Sequence, residues 1–306
     1  MAVIRQAAIA VAAVLATLLA CELALRPQIA SIDETVEVFG PPTADGRCYA
    51  LRPNATAIYQ GWLWRVAPSA IQIDARGYRE RVRTAKPAPS VRRIAVVGDS
   101  MVFGLGVNLH EALPAQLEQR LAGDGAVEVI NAGVPGYDAA SMVARAGEVV
   151  RDFAPTELVV VVDGNDFDRL PCERWRSRTS PWLRRSALLR LASIALGGDP
   201  LHGAVVRDAR SQAAVLDGLA ALGVPTRLAV LSGQDASLLE QARSRTIEVV
   251  DLSEAHRAIL ADPQRYVLIG EGHPNREGIA LLAERLADGT DRRKRREPDP
   301  APSSPR

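Results

Sequence analysis

Residues 93–107 read RIAVVGDSMVFGLGV. The run Ile94–Val97 is short, apolar and rich in β-branched residues, the composition of a strand buried on both faces of a sheet. Gly98 ends it, Asp99 and Ser100 stand at the break, and glycines return at Gly104 and Gly106. A serine in a turn at the carboxyl end of a buried strand, feeding a helix, is where an α/β sheet exposes a nucleophile. The same residues also describe a plain strand and loop with an ordinary serine, so the rest of the chain must decide.

Outward from this stretch the pattern alternates strand and helix. Apolar runs at Ile94–Val97, Val127–Asn131, Leu158–Val162, Arg227–Leu231 and Ile247–Leu252 read as strands. Between them, apolar residues at helical spacing predict helices over Glu111–Leu121, Ala139–Val150 (with Asp138 as its N-cap), Ser211–Leu222, Ala236–Ala242 and Ser253–Leu260. Arg276–Leu286 closes the series. This is the pattern of an α/β domain, a doubly wound five-stranded parallel sheet flanked by helices, spanning residues 92–288.

At 306 residues and 47% hydrophobic composition the chain can bury one large domain with additions. A net charge of +1 gives the molecule no bias toward nucleic acid. Residues 1–27 carry Arg5 followed by an uncharged stretch from Ala7 to Cys21, with apolar character resuming through Leu25. That reads as an uncleaved signal anchor or, because Leu18-Leu19-Ala20-Cys21 is similar to a lipobox, as a lipoprotein signal segment. Both tether the protein to a membrane and place the remainder on the extracytoplasmic, periplasmic face. Cys48 and Cys172 would then lie in an oxidising space, free to pair or to stay apart. Residues 28–91 form a membrane-proximal extension with short strands, at Ile58–Val66 and Ala70–Ile73, that covers an edge or end of the main domain. Residues 289–306, with six Lys/Arg against three Asp/Glu from Asp291 on and several prolines, read as a disordered tail.

Ligands in such a sheet bind beyond the carboxyl ends of the strands, near the switch in strand order. Four segments converge there: Gly98-Asp99-Ser100, Asn131-Ala132-Gly133-Val134-Pro135-Gly136-Tyr137, Asp163-Gly164-Asn165-Asp166, and Gly270-Glu271-Gly272-His273-Pro274-Asn275. With these four blocks in this order, residues 92 to about 286 resemble the SGNH hydrolase (GDSL esterase/lipase) superfamily. Arg76-Gly77-Tyr78-Arg79 ahead of the first block, with the N-terminal segment, is similar to membrane-anchored bacterial members. The resemblance implies a flavodoxin-like fold, no cofactor and no metal. It implies Ser100 as nucleophile and His273 as general base. The oxyanion hole would be built from the Ser100 and Gly133 N–H groups and the Asn165 side-chain amide.

Two positions depart from that pattern. The family carries an aspartate two or three residues before the histidine, and here Gly270 and Glu271 stand there; Glu271 is assigned as the orienting acid. Asp163 occupies the place of a glycine two residues before Asn165. Between the third and fourth strands, Phe167–Gly198 forms a long excursion rich in arginine. Its loop, with Arg174, Trp175 and Arg176, suits an anionic glycan or lipid head group, the tryptophan stacking on a sugar ring. The expected function is hydrolysis of O-acyl esters, O-acetyl esters among them, of envelope glycans or lipids through an acyl-serine. An O-acetyltransferase using the same site and a glycan-binding protein retaining only the fold are the alternatives.

Overall fold

The computed structural model describes residues 2–60, 67–169, 186–189, 206–207, 210–232, 236–269 and 272–291. The elements are, in order, helix α1 (Ala2–Val36), strands β1 (Thr56–Tyr59), β2 (Ser69–Gln72) and β3 (Arg92–Gly98), helices α2 (Ser100–Phe103) and α3 (Leu113–Leu121), β4 (Val127–Gly133), α4 (Ala139–Phe153) and β5 (Glu157–Val162). There follow two short antiparallel strands, β6 (Asp168–Arg169) and β7 (Val206–Arg207), then α5 (Arg210–Ala220), β8 (Thr226–Val230), α6 (Ala236–Ser244), β9 (Glu248–Asp251), α7 (Ser253–Ala261), α8 (Pro263–Tyr266) and α9 (Arg276–Asp291).

Five strands form one parallel sheet in the order β4-β3-β5-β8-β9. Alternation along β3 and β5 divides the core as the period-two geometry of a strand requires. Ala95, Val97, Leu158, Val160 and Val162 face the layer containing Met142, Val149, Phe153, Leu216 and Leu238. Ile94, Val96, Val159 and Val161 face the layer containing Leu113, Leu117, Leu121, Ile259, Ile279 and Leu286. The order reverses between β3 and β5, whose register pairs Val97 with Val160. Their carboxyl ends therefore lie at the crevice where such sheets bind ligands. At the opposite end, Arg92 and Arg227 both pair with Glu157, and Arg93, fully buried, donates to Glu128 and to the Phe153 carbonyl at 2.7 Å each. That end is fixed by ion pairs and carries no candidate chemistry.

Glu80 and Arg83 of the extension, together with Glu118 of α3, meet the β4 edge. An edge strand exposes unpaired backbone groups that require a cover. Here the Asn131 N–H donates to Glu80 Oε2 at 2.7 Å, the Val129 N–H to Glu118 Oε2 at 2.7 Å, and Arg83 donates to the Val129 carbonyl at 3.3 Å. Arg79 goes deeper. Only 1% exposed, it donates to the carbonyls of Phe103 (3.0 Å), Gly104 (2.6 Å), Val107 (2.7 Å) and Ala70 (2.8 Å). Its guanidinium lies over the Phe103 ring, 4.9 Å from the centroid. Burial lowers its pKa to about 10, against the nearby charge of Glu111. Arg79→Met would keep the aliphatic stem and leave four carbonyls without this donor. The Phe103 carbonyl keeps a bond from Asn131 Nδ2 and the Gly104 carbonyl one from the Val107 N–H; at about 1–3 kcal/mol for each of the other two groups, the expected loss is about 2–6 kcal/mol, read as a lower urea midpoint of the detergent-solubilised chain.

Differences from the sequence reading lie at the element ends. Helix α1 continues to Val36, past the boundary expected at residue 27, and α9 continues to Asp291. The first extension strand is Thr56–Tyr59 rather than Ile58–Val66, of which residues 61–66 lie outside the described residues. The predicted helix from Glu111 begins at Leu113, after a separate 3₁₀ turn at Leu109–Glu111, because Pro114 favours the first turn of a helix. Of the arginine-rich excursion, Arg174, Trp175 and Arg176 lie outside the described residues.

Candidate active site

Ser100 is placed by the way β3 stops. Asp99 follows the last strand residue as the N-cap of α2, its Oδ1 accepting from the Met101 N–H at 2.9 Å. The helix lasts four residues because Gly104 takes a left-handed conformation (φ +80°) and returns its N–H to the Ser100 carbonyl at 3.0 Å. Ser100 is thus the first helical residue, half-buried, with its backbone N–H accepted by no carbonyl among the described residues. The close approach of α2 to β4 requires Gly133, since a Cβ there would lie 2.2 Å from the Phe103 nitrogen.

His273 arrives from the far end of the chain. The Val267–Pro274 bridge and the Leu268 N–H bond to the His273 carbonyl (2.8 Å) tie its loop to the end of α8. Asn275 then caps α9, its Oδ1 accepting from the Gly278 N–H at 3.0 Å and its amide donating to the Arg265 carbonyl at 2.7 Å. With the histidine held two residues before that cap, its Nε2 lies 2.9 Å from Ser100 Oγ, across 173 residues of sequence. His273 Nδ1 is buried and has no hydrogen-bond partner among the described residues. Glu271 lies outside the described residues.

Three aspartates gather behind this pair. Asp163, following β5, accepts from the Ser232 hydroxyl at the end of β8 and from the Gly164 N–H at 2.6 Å; its own N–H donates to Asp166 Oδ2 at 2.7 Å. The residue that stands where the family has a glycine therefore joins two strand ends. Burial raises the pKa of Asp99, opposed by the bond from Met101 and the charge of His273. Burial and the charges of Asp99 and Asp163 raise Asp166 well above the ordinary carboxylate range. A carboxyl raised on folding binds its proton more tightly in the native state than in the unfolded chain. Its cost is absent below the unfolded pKa of about 4 and grows as pH rises toward the raised native value. Asp166→Asn keeps an oxygen for the Asp163 N–H and removes the titration. The variant is expected to flatten the decline in stability above about pH 4, seen as urea midpoints compared at pH 5 and pH 8.

The three expected oxyanion donors differ in their surroundings. The Ser100 N–H meets no backbone carbonyl among the described residues. Asn165 sits in the 3₁₀ turn Gly164–Phe167, exposed, with its side-chain amide unbonded among the described residues. The Gly133 N–H is already donated to Asn131 Oδ1 at 3.1 Å. Three residues on, Gly136 carries φ +74° and an N–H that no carbonyl accepts among the described residues. The sequence reading passed over Gly136, although Pro135-Gly136 after a strand is a turn signal that flips a peptide. The segment lies against β3, the strand that leads to Ser100, because the Val134 N–H donates to the Gly98 carbonyl at 3.0 Å.

No curated protein matches the chain. Among solved structures, a psychrotrophic esterase from Pseudoalteromonas sp. is 14% identical, over 67% of this chain and 99% of that one, with a TM-score of 0.46. A family 3 carbohydrate esterase from Clostridium thermocellum is 14% identical, over 67% and 98%, with a TM-score of 0.43. A lipase/acylhydrolase from Enterococcus faecalis is 15% identical, over 66% and 96%, with a TM-score of 0.42. Residues 96–281 match the model of the GDSL-like lipase/acylhydrolase family.

Proposed function

The chain belongs to the GDSL-like lipase/acylhydrolase family and is a serine esterase, and on that premise we propose that it removes O-acyl groups from envelope glycans or lipids, O-acetyl groups on glycans being the specific case, through an acyl-Ser100 intermediate. The observation that carries this reading is the 2.9 Å contact between Ser100 Oγ and His273 Nε2. Nucleophile and base at hydrogen-bond distance are what activation of a weak alcohol nucleophile requires.

Ser100 Oγ attacks the ester carbonyl carbon as His273 Nε2 takes its proton. The carbonyl oxygen becomes an oxyanion. The C–O bond to the alcohol breaks, and the alcohol leaves with the proton held by His273. Water then attacks the acyl carbon, giving a proton to His273, and the carboxylate departs as Ser100 recovers its hydrogen. In this scheme Glu271 orients the imidazole through Nδ1, the ring atom left without a partner among the described residues. The oxyanion is met by the Ser100 N–H, the Asn165 amide and the segment that holds Gly133 and Gly136. Since the Gly133 N–H is bonded to Asn131, the Gly136 N–H is the donor assigned to that segment.

The proposed setting is the extracytoplasmic face of a membrane, with α1 as tether. Ile4–Arg26 is a 23-residue apolar stretch of mean hydropathy 2.4, none of it buried and able by length and composition to cross a bilayer. Cys48 is disulfide-bonded, a state that oxidising compartments maintain. The arginine-rich loop with Arg174, Trp175 and Arg176 is proposed to bind an anionic glycan or lipid head group. The reading is tested by measuring acetate release from O-acetylated polysaccharides beside acyl release from lipid esters and short-chain aryl esters, with Ser100→Ala as control. Release from an acetylated glycan, lost in the control, supports it; turnover confined to lipid esters transfers the substrate to that class. No turnover of any ester by the wild type contradicts it.

A further inference from the structure

We propose that Tyr49, in the membrane-proximal extension and outside the family-matched residues, is a positioning residue for the oxyanion donor of the esterase. Its hydroxyl holds the Pro135–Gly136 peptide in the one orientation that turns the Gly136 N–H toward the reacting carbonyl. The inference rests on Ser100 being the nucleophile.

Val134-Pro135-Gly136-Tyr137 is a tight turn closed by the Tyr137 N–H to the Val134 carbonyl at 3.2 Å. Proline at its second position and a glycine of φ +74° at its third make it a type II turn. A Pro-Gly turn can also adopt type I, and the two differ by a half-rotation of the central peptide, which exchanges the faces on which its C=O and N–H lie. A local sequence that allows both needs an outside contact to select one. Tyr49 Oη supplies it, donating to the Pro135 carbonyl at 2.5 Å from a side chain only 4% exposed. Because a trans peptide is planar, fixing the carbonyl toward Tyr49 fixes the Gly136 N–H away from it. The turn follows directly on the Val134–Gly98 bond at the strand end preceding Ser100, which places it at the carboxyl ends of β3 and β4. Glycine is required on spatial grounds too, since a Cβ at 136 would lie 2.7 Å from Tyr49 Oη.

Tyr49 is itself held from several sides. Its carbonyl accepts from Tyr137 Oη at 2.7 Å, and its ring meets Phe39 edge-on at 4.9 Å. Two residues earlier, the buried Arg47 pairs with Asp45 at 2.7 Å and with Glu148 of α4, and also donates to Tyr137 Oη at 3.3 Å. The intervening Cys48 is disulfide-bonded. A hydroxyl mounted this firmly can hold a peptide plane, which a mobile one could not.

The test is Tyr49→Phe in the full-length, detergent-solubilised protein, which removes the hydroxyl and keeps the ring. With p-nitrophenyl acetate, kcat is expected to fall about 10- to 100-fold with KM unchanged, a part of what deletion of an oxyanion donor costs. The second-order rate of fluorophosphonate labelling at Ser100 is expected to fall in parallel, because the phosphoryl oxygen uses the same donors. Unchanged kcat and labelling rate, with or without a lower melting temperature, would overturn the role of Tyr49 and leave the esterase reading standing. A wild type that neither turns over the ester nor labels at Ser100 would overturn the reading on which the proposal rests. Tyr49→Leu, which also removes the ring's packing, should lower the melting temperature while reducing kcat no more than Tyr49→Phe does; a further large fall in kcat would assign the effect to packing and overturn the hydroxyl's role.

Discussion

Ser100→Ala is expected to lower kcat toward a short-chain aryl ester by about 10⁵- to 10⁶-fold, the scale of removing a nucleophile whose partners act with it as a unit. The substitution takes away one oxygen from a half-buried position at the start of α2. The cap from Asp99 to the Met101 N–H, the Gly104 turn and the Arg79 clamp remain, so the melting temperature should hardly move. Residual turnover would come from binding and oxyanion donors that persist without the hydroxyl. A loss of activity accompanied by unfolding would not carry the assignment, so circular dichroism and turnover belong in one experiment.

His273→Ala is expected to produce a fall of similar size, because the alcohol of Ser100 is a weak nucleophile until a base accepts its proton. The informative variant is the pair. If Ser100 and His273 act on one proton, Ser100→Ala with His273→Ala should be no slower than either alone. Independent contributions would instead multiply. The geometry favours the first outcome, since the imidazole Nε2 has Ser100 Oγ as its hydrogen-bond partner at 2.9 Å.

Much of this architecture is legible in the sequence because it depends on local chemistry. The five buried strands are short apolar runs ended by glycine, aspartate or a polar turn, and all five occur where the pattern places them to within one or two residues at most ends. Asp138 was readable as a cap and is one, accepting from the Ser141 N–H at 2.8 Å. The convergence of the first three blocks at one end of the sheet follows from parallel topology alone, which sends every strand's carboxyl end to the same side; His273 reaches it from the loop before the last helix.

What the sequence hid depends on partners remote along the chain. Arg79 reads as a charged surface residue until Phe103, Gly104 and Val107 are folded over it. Tyr49 stands 86 residues from the carbonyl it holds, and no periodicity links the two. The family resemblance gives Gly133 as an oxyanion donor, and the sequence does not show what its N–H meets in the fold. In the structure that N–H donates to the side chain of Asn131, two residues back. Asp163 looked like a departure from a family glycine and proves to tie β5 to the end of β8 through Ser232.

The central claim is that Ser100 is the acyl-carrying nucleophile, activated by His273. The most direct measurement is incubation of the full-length protein with a fluorophosphonate, followed by peptide mass spectrometry to locate the adduct. The account predicts one phosphonyl group per chain on Ser100, lost in Ser100→Ala and strongly slowed in His273→Ala. An adduct on another serine, or folded wild-type protein that stays unlabelled, would contradict it.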